Sequence, residues 1–253
     1  MNQSTRRDFI KKAAAGSAMA VSFSHIVSSA FAETKPSKIA LRKDDVILFQ
    51  GDSITDSGRS REEAGSNNSR ALGNGYALLA TASLLNDHAP KNLRIFNRGI
   101  SGNKVFQLAE RWDADCLDLK PTVLSILIGV NDFWHMLNGK YDGTVETYRN
   151  DFKALLQRTK EKIPEIKLII GEPFAVAGVK AVDDKWFPAF TGYQNAAREM
   201  AGEFNATLIP YQSIFDKAAK EAPPSYWTPD GVHTSLAGSQ LMAEAVLNVF
   251  KAS

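Results

Sequence analysis

The stretch "VILFQGDSITDSGR" occupies residues 46–59 and changes character near its middle. Its first five residues are mostly apolar and predict a strand that is buried on both faces. The residues that follow are small or polar, and Ser53 stands at the break. The break is either a simple turn from strand to helix or a place where a serine hydroxyl is presented for chemistry. The rest of the chain decides between these two interpretations.

Four further strand-like runs follow along the chain, and helical patterns lie between them. The runs cover residues 93–97, 122–128, 167–170 and 206–210. The helical patterns cover about 75–87, 104–118, 145–162, 190–203, 213–221 and 235–250. Regular alternation of strand and helix predicts an α/β fold, a three-layer α/β/α sandwich around a five-stranded parallel sheet.

The N-terminal residues 1–32 have the layout of an export signal. Arg6 and Arg7 precede a modestly apolar stretch, and Ala30-Phe31-Ala32 supplies an A-x-A cleavage site. Paired arginines indicate the twin-arginine route, which predicts a periplasmic or secreted protein. A membrane anchor is the alternative, but the stretch is short and rich in serine for a span of about 20 apolar residues. We therefore expect a signal at 1–32 and one domain at 33–253.

The composition is that of an ordinary globular protein, with 253 residues, 44% hydrophobic and 23% charged. Loss of residues 1–32 would leave 26 basic and 27 acidic side chains, so no nucleic-acid partner is expected. Stable insertion into a membrane is not expected either.

Cys116 is the sole cysteine, which excludes an intramolecular disulfide. No Cys/His cluster suggests zinc, so we expect no metal or cofactor. Assembly into a homo-oligomer stays open.

Small and polar residues follow the predicted strands where those strands end. Ser53 follows the first strand, Gly99 the second and Asn131 the third. Asp230 and His233 lie in a turn-rich loop before the last helix. Ligands of open parallel sheets bind outside the carboxyl ends of the strands. We therefore expect all of these residues to meet at one edge of the sheet.

Their chemistry fits acyl transfer. A serine hydroxyl needs a base, and His233 with Asp230 three residues before it is the best candidate; a histidine that merely packs at a helix start is the alternative. The backbone N–H groups of Ser53 and Gly99 and the side-chain amide of Asn131 could stabilise an oxyanion. The alternative for Gly99 and Asn131 is that they only form turns.

Four short blocks carry a resemblance to a known family. "GDSIT" at 51–55, "NRGISGN" at 97–103, "GVND" at 129–132 and "DGVH" at 230–233 resemble, in order, the blocks of the SGNH or GDSL-type esterase superfamily. The resemblance implies a flavodoxin-like fold. It also implies Ser53 as nucleophile, His233 as base, Asp230 as its partner, and an oxyanion hole from Ser53, Gly99 and Asn131.

Longer phrases carry a closer likeness. "GDSITDSGR", "LGNGY", "ERWDADCLDLKP" and "GVNDFW" are similar to bacterial acetylxylan esterases of this superfamily, whereas "EEAGSNNSRA" after Arg59 departs from them. This likeness implies a serine esterase that removes acetyl or other short acyl groups from carbohydrate esters such as acetylated xylan. We expect Asp52, Trp134 and Trp227 to contact the substrate; packing in the core is the alternative for Trp134.

Three other functions are weighed against this one. A lysophospholipase or thioesterase of the same superfamily should need a larger apolar groove, against which the polar loop 59–74 argues mildly. A noncatalytic carbohydrate-binding protein could keep the fold, although every triad position is filled. A nucleotide-binding Rossmann protein is remote, because the turn after the first strand lacks the G-x-G-x-x-G spacing.

Overall fold

Five parallel strands form the central sheet of the computed structural model, which describes residues 23–34 and 38–251. They are β1 Val46–Gly51, β2 Arg94–Asn97, β3 Val123–Leu127, β4 Lys167–Gly171 and β5 Thr207–Ile209. Their order is β2-β1-β3-β4-β5, the flavodoxin-like arrangement. Strand β2 lies on one side of β1, and β3, β4 and β5 lie on the other, so the topological switch point falls between β1 and β3. The predicted five-stranded parallel sheet is confirmed.

Helices connect the strands and cover the sheet. The described α-helices are α1 Phe23–Thr34, α2 Ser53–Asp56, α3 Ser69–Leu72, α4 Tyr76–Asp87, α5 Val105–Glu110, α6 Trp112–Asp115, α7 Val130–Leu137, α8 Val145–Lys162, α9 Thr191–Glu203, α10 Tyr211–Glu221, α11 Pro224–Trp227 and α12 Leu236–Asn248. Helices α1, α4, α10 and α12 pack together in one layer, and α5, α8 and α9 form the other.

The core lies between these layers. Every residue of β1 and of β3 is buried, as their uninterrupted apolar runs predict for strands with helices on both faces. Phe49, Ile126 and Ile170 have no exposed surface. In the register of the sheet, Gly51 at the end of β1 pairs with Leu127 at the end of β3. The segments that follow these two strands therefore leave the sheet side by side.

One predicted helix needs correction, and helix α7 was missed. The helix predicted over 104–118 is broken into α5, α6 and a 3₁₀ turn at Leu117–Leu119. The break falls at Arg111, whose guanidinium turns back to the Asn103 side chain and the Arg98 carbonyl. Helix α7 was not predicted, because it is short and begins after Gly129, which has no side chain to cap it.

Helix α1 packs against α10 and α12 and spans the predicted boundary at residue 32. Its buried side chains are Ile26, Val27, Ala30 and Phe31. The Phe23 ring meets Trp227 edge-on at 5.8 Å between centroids. Arg6 and Arg7 lie outside the described residues. Among the helices that are described, none is both long and apolar enough to cross a membrane.

Candidate active site

Ser53 is presented at the carboxyl end of β1 by the short helix α2. Asp52 is the N-cap of this helix, and its Oδ1 accepts a hydrogen bond from the Ile54 N–H at 3.0 Å. Ser53 is the first residue inside the helix, where backbone N–H groups have no intrahelical acceptor. No described group accepts a hydrogen bond from the Ser53 N–H. The side chain and this N–H are therefore both available to a ligand.

The structure places Ser53, His233 and Asp230 in one hydrogen-bonded line. Ser53 Oγ lies 2.8 Å from His233 Nε2, and His233 Nδ1 lies 2.7 Å from Asp230 Oδ2. The other oxygen, Asp230 Oδ1, accepts from the N–H groups of Val232 at 2.9 Å and His233 at 2.7 Å. The three-residue spacing of Asp230 and His233 thus closes a turn in which carboxylate and ring are fixed together.

The protonation of this line follows from Asp230. Burial alone would raise the pKa of Asp230, but hydrogen bonds from the His233 ring and from two backbone N–H groups outweigh it, and the pKa is lowered. An ionised carboxylate can only accept hydrogen bonds, so His233 Nδ1 carries the proton and Nε2 is left to accept from the Ser53 hydroxyl. The side chains of His233 and Asp230 are 44% and 29% exposed, so a substrate can reach them.

A second segment supports the loop that carries the imidazole. The Val176 N–H donates to the Gly231 carbonyl at 2.8 Å, and the Ala181 N–H donates to the Asp230 carbonyl at 2.9 Å. This support could not be predicted, because residues 174–190 have no helical or strand periodicity. The contacts fix the backbone of the aspartate and of the glycine that follows it.

Asn131 lies in the first turn of α7, directly after β3. It is 5% exposed, and its Nδ2 donates to the Asn103 carbonyl at 3.2 Å. An amide nitrogen has two hydrogens, and the second has no partner among the described residues. Asn131 can therefore donate to a ligand while the first hydrogen bond holds its side chain in place.

The prediction that Gly99 supplies an oxyanion donor is wrong. The Gly99 N–H donates to Asn97 Oδ1 at 2.9 Å, so it is already satisfied. A Cβ at this position would lie 2.5 Å from the Asp56 nitrogen and 2.9 Å from the Thr55 carbonyl carbon. Gly99 is required by the close approach of the loop after β2 to helix α2, which is a packing role.

Gly102, in the same "NRGISGN" block, has the available backbone N–H that Gly99 lacks. It occupies the third position of a turn closed by the Asn103 N–H and the Ile100 carbonyl at 3.2 Å, with φ of 81°. No described atom accepts from its N–H, and open space surrounds the position of a Cβ. Gly102 therefore replaces Gly99 as the candidate backbone donor. Its place at a tight turn was the signal that could have identified it.

Asp52 is too deeply buried to contact a substrate, contrary to prediction. Its side chain has no exposed surface, because the carboxylate turns inward to cap α2. Burial raises the pKa of Asp52 from its ordinary 3.8 to about 7, although the Ile54 N–H and His233 act to lower it. Its Oδ2 has no hydrogen-bond partner among the described residues. Asp52 therefore lies beneath the serine rather than beside a ligand.

The two tryptophans differ. Trp134 is half-buried on α7, with its ring centroid 6.5 Å from that of His233 and 5.7 Å from that of Trp186. It therefore lies beside the site. Trp227 is 2% exposed, packs on Phe23, and donates its indole N–H to the Ala222 carbonyl at 3.3 Å. Helix α1 covers the Trp227 ring in the full chain, so a contact between Trp227 and substrate stays a prediction for a chain that has lost residues 1–32.

Within residues 23–34 and 38–251, no group of three or more His, Cys, Asp or Glu side chains is arranged to hold a metal ion. Cys116 is fully buried, and burial raises the pKa of its thiol to about 12. It is a packed side chain and not a reactive thiolate.

Comparison with known proteins agrees with the geometry. Residues 49–241 match the GDSL-like Lipase/Acylhydrolase family. An acetylxylan esterase from Geobacillus stearothermophilus is 34% identical over 203 residues, which are 79% of this chain and 91% of that protein.

Solved structures extend the likeness. A GDSL-like lipase from Parabacteroides merdae superposes with a TM-score of 0.82 and 52% identity, over 84% of this chain and 98% of that one. The Geobacillus acetylxylan esterase superposes with a TM-score of 0.73 and 31% identity, over 83% of this chain and 96% of that one. Its catalytic mutants change a serine, an aspartate and a histidine, the last two spaced by three positions as Asp230 and His233 are here. The chain belongs to the GDSL-like lipase/acylhydrolase family and is a carboxylic ester hydrolase.

Proposed function

We propose that the protein removes acetyl groups from acetylated xylan or xylo-oligosaccharides through a covalent acyl-enzyme on Ser53. The observation that carries the proposal is the line of hydrogen bonds from Ser53 Oγ through the His233 ring to Asp230, at 2.8 and 2.7 Å. A serine hydroxyl with a base on one side and an orienting carboxylate behind that base is the arrangement that nucleophilic acyl transfer needs.

In the first half of the reaction, Ser53 Oγ attacks the carbonyl carbon of the acetyl ester, and His233 Nε2 takes the hydroxyl proton. The carbonyl oxygen becomes an oxyanion, which accepts hydrogen bonds from the N–H groups of Ser53 and Gly102 and from the amide of Asn131 in this proposal. The bond from carbon to the sugar oxygen then breaks. His233 gives its proton to that oxygen, which leaves as a sugar hydroxyl.

In the second half, water attacks the acetyl-serine. His233 Nε2 takes a proton from the water, the same donors bind the second oxyanion, and acetate leaves as the proton returns to Ser53 Oγ. Asp230 holds the ring in the tautomer that both halves use and stabilises the imidazolium that forms between the transfers. The two protein atoms that exchange protons, Ser53 Oγ and His233 Nε2, are therefore already in contact.

The choice of a carbohydrate acetyl ester rests on two observations. The Geobacillus relative is named an acetylxylan esterase, and the match extends over most of both chains. Trp134 lies beside His233, where its flat ring can stack on a sugar. A lysophospholipase or thioesterase would have to accept a long acyl chain, against which the polar loop 59–74 argues, since its first residue Arg59 donates to the Gly99 carbonyl at 2.7 Å.

The test is acetate release by the wild type and by Ser53→Ala. We expect release from acetylated xylan and acetylated xylo-oligosaccharides, and faster cleavage of p-nitrophenyl acetate than of p-nitrophenyl palmitate. A preference for the palmitate would overturn the acetylesterase assignment. If Ser53→Ala bound acetylated xylo-oligosaccharide and the wild type released no acetate from any ester, the noncatalytic carbohydrate-binding alternative would hold.

Export is a separate part of the proposal. Arg6-Arg7 ahead of an apolar stretch supports delivery by the twin-arginine route to the periplasm or beyond. Fractionation of cells that produce the wild type or the Arg6→Lys/Arg7→Lys double variant tests it. We expect esterase activity outside the cytoplasm only for the wild type, and equal export of both would contradict the route.

A further inference from the structure

Residues 103–105 are bound to helix α7 by consecutive contacts. Asn131 Nδ2 donates to the Asn103 carbonyl at 3.2 Å, and Asp132 Oδ1 accepts from the Val105 N–H at 3.2 Å. Neighbouring side chains of α7 thus hold the two ends of a three-residue segment. We call these two contacts and the one described next the 103–105 clamp.

The middle residue of the segment is held as well. Lys104 Nζ lies 3.2 Å from His135 Nδ1, one helical turn beyond Asn131 on α7. The ammonium also lies 5.5 Å from the ring centroid of Phe106 and 5.2 Å from that of Tyr141. Burial, and then the charge of Lys104, lower the pKa of His135, so the neutral ring can accept from the ammonium. Every residue of the segment therefore has a partner on α7.

Asp132 is a costly residue at its position. It is 1% exposed, and its Oδ2 has no hydrogen-bond partner among the described residues. Burial raises the pKa of Asp132 to about 7, although the Val105 N–H acts to lower it. A buried carboxyl with one oxygen unsatisfied destabilises a fold. Asp132 therefore contributes through the geometry that it fixes and not through stability.

That geometry concerns the oxyanion donors. Gly102 directly precedes the clamped segment, and Asn131 is itself part of the clamp. Gly102 lies in the loop after β2, and Asn131 lies in helix α7 after β3. The distance between the two donor groups therefore depends on the contacts that join these two segments. Small displacements of preorganised groups reduce the rate of the chemical step steeply.

We propose that Asp132 is a positioning residue that fixes the Gly102 and Asn131 donors relative to each other by holding the Val105 N–H. The inference rests on the proposed acyl transfer at Ser53, and it concerns a residue that touches neither the substrate nor the triad. The loss of the Asp132–Val105 contact should reduce kcat and leave KM nearly unchanged, because the donors act on the oxyanion and not on the ground-state ester.

The experiment compares Asp132→Ala with Asp132→Asn on p-nitrophenyl acetate. Asparagine keeps an oxygen that can accept from Val105, and alanine does not. We expect kcat of the alanine variant to fall by about 10- to 100-fold with little change in KM, and the asparagine variant to recover most of it. Thr159→Ala is the matched control, because Thr159 is also fully buried and hydrogen-bonded, to Trp112, but lies on helix α8 and takes no part in the 103–105 clamp.

A second variant acts from the other side of the contact. Val105→Pro removes the N–H that donates to Asp132. Val105 is the first residue of α5, where proline is tolerated. Its kcat should fall in the same way, and the double variant with Asp132→Ala should be no worse than either single variant. This variant decides the question if Asp132→Ala does not fold.

Several results would overturn the inference. They are full kcat in Val105→Pro, no recovery by asparagine, or a loss of kcat in Asp132→Ala that matches Thr159→Ala at an equal loss of thermal stability. Ser53→Ala separates this failure from that of the proposed function. If that variant keeps wild-type activity, acyl transfer at Ser53 fails. If it is inactive while the Asp132 variants equal the wild type, only the positioning role fails.

Discussion

Ser53 Oγ and His233 Nε2 lie 2.8 Å apart although 180 positions of chain separate the two residues. The sheet brings them together, because β1 delivers the serine to its carboxyl edge and the loop before α12 returns to the same edge. Asp230 orients the His233 ring through its contact with Nδ1, and backbone N–H groups hold the Asp230 carboxylate in turn. Each member of the line therefore has a distinct and testable task.

Replacing Asp230 by asparagine should disable the base without unfolding the protein. The amide can donate to His233 Nδ1, which would place the proton on Nε2 and leave that nitrogen unable to accept from Ser53. We expect kcat on p-nitrophenyl acetate to fall by about 10³- to 10⁴-fold with KM little changed. Circular dichroism should show an intact fold. Activity within tenfold of the wild type would show that Asp230 does not set the tautomer.

Gly99 and Gly102 should respond to alanine in opposite ways. Gly99→Ala forces a methyl group against the backbone of α2, which should lower the free energy of unfolding by about 1–3 kcal/mol. Gly102→Ala meets open space and costs about 1–2 kcal/mol for its positive φ, but it disturbs the candidate donor and should lower kcat more. Thermal unfolding and kcat of both variants check this. A Gly99→Ala enzyme with normal stability and a selective loss of kcat would reinstate Gly99 as the donor.

Asp52 should make stability depend on pH in a defined direction. Because the folded-state pKa is raised from 3.8 to about 7, the folded protein keeps this proton over a range in which the unfolded chain has lost it. Stability from this group is therefore fully present below pH 3.8 and is lost as the pH rises towards 7. Asparagine cannot ionise and should escape the loss.

The measurement is denaturant unfolding of the wild type and of Asp52→Asn at pH 5 and pH 8. Relative to the wild type, the free energy of unfolding of the variant should rise by on the order of 2 kcal/mol between the two pH values. Asp118→Asn, at an exposed acid, serves as the control and should show no such rise. A pH-independent difference for Asp52→Asn would mean that the Asp52 carboxyl titrates normally.

Trp134 and Trp227 should separate substrate binding from folding. Trp134→Ala should raise KM for an acetylated xylo-oligosaccharide by about three- to tenfold and leave KM for ethyl acetate nearly unchanged, because ethyl acetate has no ring that could stack on the indole. Trp227→Ala should instead lower the free energy of unfolding by about 3–5 kcal/mol, since its ring is buried. Equal KM values of Trp134→Ala and the wild type on the oligosaccharide would exclude stacking.

Much of the fold could be predicted because its signals are local. The five strands are apolar runs bounded by turn residues, and α8 was predicted over its full extent because Thr144 caps a long amphipathic pattern. Helix α7 was missed because Gly129 gives no cap. These successes and failures depend on residues within one turn of each element.

Side-chain contacts could be predicted less well. Gly99 and Gly102 stand three positions apart in one block, and only the Asn97 side chain decides which N–H is free. Asp52 faces inward because it caps α2, which a "GDS" motif does not reveal. Trp227 is covered by α1, from a part of the chain about 200 residues away in sequence. Such outcomes depend on partners that the motif itself does not contain.

Helix α1 has a consequence for the proposed export signal. Ala30 is fully buried and Phe31 is 4% exposed, so the predicted A-x-A cleavage site lies inside a docked helix. A peptidase binds its substrate as an extended chain, so the predicted cleavage after Ala32 would require α1 to detach first. If the chain crosses the membrane folded, as the proposed route implies, the peptidase would meet the docked form. The rate at which α1 detaches would then limit the rate of cleavage.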